Sequence, residues 1–211
     1  MNSHSKRILT TFSLFSFMAL LPMSCGLFCG NDSCGCGPVS KPREFVIESI
    51  ATRTVDGSGN EIPKTQNRNF DQIFISLEIK DIKFNSQAKV EWEGLRNPGF
   101  AFACSPAPDT SKNELNLIEI INEGEFTLAD GTKYPIGEKI TSLVGINRVF
   151  NNGVVPIAEF TGLGRKLTFE DSFKIGLLQN PGKELQLKFT IRLVFDDAQE
   201  FLLTDQILNV Q

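Results

Sequence analysis

The sequence predicts an all-β domain, an immunoglobulin-like β-sandwich with a partly closed β-barrel as the alternative. Three observations support this. Apolar residues recur at alternate positions in run after run from Phe45 onward, and turn residues separate the runs. No stretch carries the long 3.6-residue periodicity that a doubly wound α/β fold places between its strands.

The first run, Phe45 to Val55, ends at the turn-rich Asp56-Gly57-Ser58-Gly59-Asn60. In the second, Ile73, Ile75, Leu77 and Ile79 share one face, while Ser76, Glu78 and Lys80 take the other. Ile82 and Phe84 then fall on the opposite count, so a bulge or bend is expected near Asp81. Val90-Glu91-Trp92-Glu93 reads as a short strand. Phe100, Phe102 and Cys104 alternate with Ala101 and Ala103 until Pro106 and Pro108 stop the pattern. Leu115 to Ile121 follows, then Phe126 to Leu128 with an Asp130-Gly131 turn.

The cleanest alternation is late. Leu185, Leu187, Phe189, Ile191, Leu193 and Phe195 share one face of an antiparallel strand with a solvated back. Asp196-Asp197-Ala198-Gln199 turns the chain into Phe201 to Thr204 and Ile207 to Val210, a C-terminal hairpin. Pro135 to Lys166 alternates poorly and is broken by Gly137, Gly145, Asn151-Asn152-Gly153, Gly162 and Gly164. It reads as one long irregular excursion with a helical turn or two around Val155 to Phe160.

Residues 1–24 read as a lipoprotein signal peptide. Lys6 and Arg7 precede an apolar run from Ile8 to Leu21, about fourteen residues where a spanning helix needs about twenty. Leu21-Pro22-Met23-Ser24-Cys25-Gly26 resembles the bacterial lipobox, in which a small residue precedes a cysteine that takes a diacylglycerol thioether. Ser24 fits that pattern; Pro22 and Met23 depart from its strictest form. Cys25 is therefore the expected lipidation site, with acyl chains such as palmitate holding the protein at a membrane. One chain holds only marginally and two or more hold stably.

Loss of the leader removes His4, the sole histidine, and leaves no imidazole for nucleophile triads, acid–base work or zinc. It also removes two cations and no acid, leaving 19 cations against 25 acids and a net charge of −6. That balance argues against nucleic acid as a partner. Residues 25–43, rich in Cys, Gly and Pro, form a tether, and 44–211 a single β-sandwich domain.

With Cys25 assigned to lipid, Cys29, Cys34, Cys36 and Cys104 remain as disulfide candidates, an even count suited to an oxidising envelope compartment. Cys34 and Cys36 are one residue apart and would join only with strain, so Cys104 is expected to pair with one or the other. Three thiols in the tether with Cys104 as a fourth would be the alternative, a metal site. The spacing lacks the paired C-x2-C knuckles of structural zinc, and secretion favours oxidation.

The signal, the cysteine-rich tether, Phe100-Ala101-Phe102-Ala103-Cys104-Ser105-Pro106 and the closing Phe189-Thr190-Ile191-Arg192-Leu193 through Glu200-Phe201-Leu202-Leu203-Thr204 together resemble a family of Bacteroidota lipoproteins carrying a domain of unknown function. The resemblance implies an envelope location and a mostly β domain, and it supplies no catalytic residues. Gly26-Leu27-Phe28 stands where surface-exported lipoproteins of that phylum carry an acidic run, so the periplasmic or surface face of the outer membrane stays open.

Candidate sites have plain structural readings beside the chemical ones. Glu91 and Glu93 flanking Trp92 offer a carboxylate pair beside an aromatic platform, but alternation puts both acids on one solvated face and Trp92 in the core. Asp196, Asp197 and Glu200 supply oxygens for calcium without a spaced D-x-D-x-D loop, and hairpin-turn chemistry accounts for both aspartates. Gly162-x-Gly164 before Arg165 and Lys166 follows no clear strand and opens no clear helix, a poor anion-binding loop. No S-x-x-K motif precedes a helix. The expectation is a lipid-anchored, non-catalytic envelope module without a cofactor. It would bind a protein or glycan partner through the 135–166 excursion or the loops at one end. A polysaccharide-acting enzyme or glycan-binding accessory protein is the alternative.

Overall fold

In the computed structural model, residues 42–84, 108–148, 154–161 and 164–211 are described. The signal segment, Cys25, the tether cysteines, Cys104 and the expected strands at Val90–Glu93 and Phe100–Cys104 lie outside these residues.

The domain is all-β. The strands are β1 (Glu44–Asp56), β2 (Ile73–Phe84), β3 (Thr110–Asn122), β4 (Phe126–Thr127), β5 (Lys133–Tyr134), β6 (Val144–Arg148), β7 (Val155–Pro156), β8 (Arg165–Thr168), β9 (Ser172–Leu177), β10 (Leu185–Phe195) and β11 (Glu200–Val210). A 3-10 turn, Thr141–Leu143, precedes β6, and one short helix, α1 (Ile157–Thr161), follows β7. β4 and β5 form a separate hairpin. The other strands run in the order β11-β10-β3-β1-β2-β9-β6-β7, with β8 also on β3.

Every pairing along that path is antiparallel except one. β1 meets β3 in parallel over just two residue pairs, Glu44 with Thr110 and Phe45 with Ser111. The path folds back at that junction into two layers, a β-sandwich that does not close into a barrel. β11 packs across onto β1 and β2. The core between the layers takes Phe45 and Ile47 from β1, Ile73, Ile75 and Leu77 from β2, Ile118 and Ile120 from β3, Phe173 and Ile175 from β9, and Phe189, Ile191 and Leu193 from β10. Among the described residues Phe45, Phe74, Phe126, Phe173, Phe189 and Phe195 are buried, and each such ring contributes about 1.5–3 kcal/mol.

β10 follows the expected alternation from Leu185 to Phe195. β11 is one strand rather than two short ones. Asp205 sits in the left-handed region at φ 56°, and the β10 register slips between Phe189 and Ile191. The inserted residue switches the inward parity from Phe201 and Leu203 to Gln206, Leu208 and Val210. The irregularity expected near Asp81 is present: the β1–β2 register shifts on both sides of the Ser49–Asp81 pair, leaving Glu48 of β1 and Lys80 of β2 without partners, and the Ser49 hydroxyl donates to the Asp81 carboxylate.

Two features depart from the sequence pattern. Ser76, expected on a solvated face, is 4 % exposed, because the back of β2 and β9 is covered. Phe74 lies over Gly176, and the Gly57–Asn60 turn reaches Lys174, whose Nζ donates to Gly57 O at 2.9 Å. The 135–166 stretch, expected to be irregular, contains β6, bonded along its full length to β9. Gly145 breaks the apolar alternation there because a Cβ would fall 2.6 Å from Val155 O. The helical turn expected around Val155 to Phe160 is α1.

Candidate functional site

At the end of the sandwich where β3 finishes, a cleft of about 330 Å³ opens between the β4–β5 hairpin and the loop joining β9 to β10. Its floor is aliphatic, from Leu143, Leu177, Leu178, Leu185 and Leu187, with Phe126. Its rim is polar, from Asp130, Ser142, Gln179 and Asn180. A volume of this order takes a small ligand or a side chain or two of a partner.

Each wall is fixed by a specific device. Asn122, the last residue of β3 and 1 % exposed, donates its side-chain amide to Tyr134 O at 3.1 Å and Pro135 O at 2.8 Å. Its Oδ1 accepts from Gly124 N at 3.2 Å, so one side chain holds both ends of the hairpin. Within the hairpin, Phe126 and Tyr134 stack with ring centroids 4.8 Å apart. Thr141 Oγ1 accepts from Ile120 N, which docks the 3-10 turn carrying Ser142 and Leu143. Across the cleft, Leu178 N donates to Leu143 O at 3.0 Å and Ala129 N to Pro181 O at 3.2 Å, joining hairpin and loop. Gly182 adopts φ 75° there, a conformation that suits glycine, and a Cβ on it would fall 2.7 Å from Ala129.

Among the described residues lining the cleft, Asp130 is the one ionisable group. Its carboxyl is held below the usual carboxylate range by the Thr132 backbone N–H donated to it, so it stays charged near neutral pH. One fixed carboxylate, one hydroxyl and two amides above leucines can orient a ligand. They do not form the facing acid–base pair that glycosidic hydrolysis requires.

The acids and bases singled out in the sequence go elsewhere. Asp197 accepts from Asn113 Nδ2 and from Gln199 N at 3.0 Å, as a turn aspartate does. Glu200 takes a two-pronged bond from Arg192, both contacts 2.9 Å, and Asp196 is exposed. Among the described residues no cluster of three or more acids, cysteines or histidines is placed to hold a metal ion. Arg165 lies over the Phe160 ring at 4.6 Å, and Lys166 pairs with Glu44 at 2.6 Å, so neither offers a bare cationic loop. Glu91, Trp92, Glu93, Gly162 and the cysteines lie outside the described residues. An ion network centred on Glu119 lies on the back of the β3–β10 layer. There Glu119 accepts from Lys139 and, at 2.7 Å, from Arg192. These bonds, Lys139's first, lower the Glu119 carboxyl below its ordinary range.

The cleft residues were not legible as a site. Asp130-Gly131 and Asn180-Pro181-Gly182 are turn signals, but nothing local to either says that they face each other across 50 residues of chain.

No family model matches the chain, and no curated protein matches it. Among solved structures, it is similar to the C-terminal domain of the Streptococcus agalactiae AgI/II polypeptide BspA, with 13 % identity and a TM-score of 0.27 over 77 % of this chain and 49 % of that one. It is also similar to the C-terminal domain of the Streptococcus pyogenes antigen I/II-family protein AspA, with 11 % identity and a TM-score of 0.26 over 77 % and 46 %. The chain thus spans about half the length of the structures it matches.

Proposed function

We propose that this chain is a lipid-anchored protein of the bacterial envelope, held through Cys25. Its β-sandwich acts as a non-catalytic binding module that receives a protein partner in the cleft between the β4–β5 hairpin and the β9–β10 loop. The observation that carries the binding reading is the composition of that cleft: an aliphatic floor under a rim with a single carboxylate. A leucine floor suits apolar side chains of a polypeptide, and the Gln179 and Asn180 amides suit its backbone. Glycan platforms rely on exposed Trp or Tyr, and neither is among the described residues that line the cleft. The enzymatic alternative draws no support from it, because hydrolysis of a polysaccharide calls for two carboxyl groups facing across the substrate. The anchor reading is supported by the leader, the short apolar run and Ser24-Cys25.

Affinity capture from solubilised envelopes with the mature chain, alongside a Leu143→Arg variant that fills and charges the floor, tests the reading. One polypeptide retained by the wild type and lost by the variant is the expected result. Equal retention by both removes the cleft as the site. Intact mass of the membrane-extracted protein tests the anchor separately, with acyl mass expected on the peptide beginning at Cys25.

A further inference from the structure

The end of the sandwich opposite the cleft carries its own surface. β1 begins there at Glu44, beside Thr110 of β3, which in turn pairs with Thr168 of β8. β2 finishes at the same end, with Phe84 opposite Phe45. Two aromatic side chains remain in solvent at this rim. Phe84 is 38 % exposed, and Phe169, at the tip of the β8–β9 turn, is 48 % exposed. Lys83, beside Phe84 in the chain, and Lys112 of β3 are exposed, as is Glu170 beside Phe169, and the Arg43 guanidinium lies 4.3 Å over the Phe84 ring.

This rim is also where the tether enters the domain. Seventeen residues, 26–42, separate Cys25 from Arg43. A chain of that length reaches at most ~60 Å when fully extended, which keeps the rim within that distance of any surface that holds Cys25 and raises its effective concentration there. Aromatic rings with flanking lysines are the residue types that settle at the boundary between headgroups and acyl chains. We infer that the Phe84–Phe169 rim is a membrane-docking face, seated on the lipid surface to which Cys25 is anchored. This inference rests on the anchor reading. β3 runs about 40 Å from Thr110 to Asn122, so a docked rim turns the cleft away from the membrane, toward a partner in the aqueous phase.

The test places the acylated mature chain in vesicles of phosphatidylethanolamine and phosphatidylglycerol containing brominated lipid. Trp92 is replaced by Phe, and a single indole is introduced by Phe169→Trp or, as a control on the back of the far layer, by Leu202→Trp. A ring seated ~5–10 Å into the boundary meets the bromine, so the Phe169→Trp emission should fall by about half while the control holds steady. Hydrogen exchange of the unaltered acylated chain provides a second measure. Amides 169–170 should slow several-fold on vesicles relative to the soluble Cys25→Ser chain. Unchanged emission and exchange in a chain whose mass carries the acyl group overturns the docking face and leaves the anchor standing. Absence of acyl mass at Cys25 overturns the anchor, and the docking inference with it.

Discussion

Replacing Asn122 by alanine removes three hydrogen bonds from a fully buried side chain, two donated to Tyr134 O and Pro135 O and one accepted from Gly124 N. A neutral bond of this kind contributes a net ~0.5–1.5 kcal/mol. Tyr134 and Pro135 are near enough to solvent to regain part of that from water, so a loss of about 2–3 kcal/mol is expected. For a domain of this size that corresponds to about 4–12 °C in the melting temperature. Asn122→Asp separates the donors from the acceptor role. It keeps an oxygen for Gly124 N but points a carboxylate at two carbonyl oxygens. That raises the pKa of the new acid, and its destabilisation grows as pH rises through that value and fades as pH falls. At pH 7 Asn122→Asp should therefore melt below Asn122→Ala, and the order should close or reverse near pH 4. Melts followed by circular dichroism across pH, with hydrogen exchange over residues 126–140 to localise the loosening, provide the assay. If Asn122→Asp is at least as stable as Asn122→Ala at pH 7, the amide does not face those carbonyls, and the account of how the cleft wall is held fails.

The covered back of β2 and β9 predicts that Gly176→Ala, whose Cβ would lie 2.6 Å from the Phe74 ring, costs ~1–3 kcal/mol in chemical denaturation, with partial rescue by adding Phe74→Leu. Additive losses in the double variant would contradict the packing. The Glu119 carboxyl is lowered in the fold, so its contribution is present above the ordinary carboxylate range and is lost as pH falls through its folded value. Stability of the wild type should accordingly drop more steeply than that of Glu119→Gln below about pH 4.5, and parallel profiles would remove the network as a source of acid sensitivity. Arg43 and Asp109 hold the starts of β1 and β3 side by side, with Cys36 eight residues before Glu44 and Cys104 six before Thr110. Extended chain covers ~3.3–3.6 Å per residue, so either Cys34 or Cys36 is within reach of Cys104. Non-reducing peptide mapping should find Cys104 linked to one of them, and a free Cys104 thiol in the envelope form would refute it.

The strands that the sequence revealed are those with one dry and one wet face. β10 is legible because Gln186, Lys188, Thr190 and Arg192 mark its back, and β1 because its ends are punctuated by turn residues. Signals failed where tertiary structure overrides that contrast. Ser76 and Lys174 look like solvent-facing residues, yet Phe74 and the Gly57–Asn60 turn cover them, an arrangement assembled from segments far apart in sequence. β6 hid because Gly145 answers to Val155 across the sheet rather than to a propensity. The break in β11 at Asp205 looked like a turn between two strands, because a left-handed single residue and a two-residue reversal leave the same parity shift. The cleft was illegible for a different reason. Its residues are ordinary leucines and turn formers, and only the docking of Asn122 and Thr141 onto the end of β3 makes them neighbours.

The parallel junction between β1 and β3 has a mechanical consequence. Strand-to-strand pairing between the two halves at this seam is limited to two residue pairs, and further main-chain bonds join them elsewhere, from Arg68 to Asn209 and Gln211 and from the end of β3 to residues 137–140. Arg43 sits directly ahead of that seam and grips Asp109 three times, through its backbone N–H at 2.8 Å and its guanidinium at 3.1 and 2.7 Å. Tension arriving along the N-terminal segment therefore loads this grip in shear before it reaches any long strand ladder.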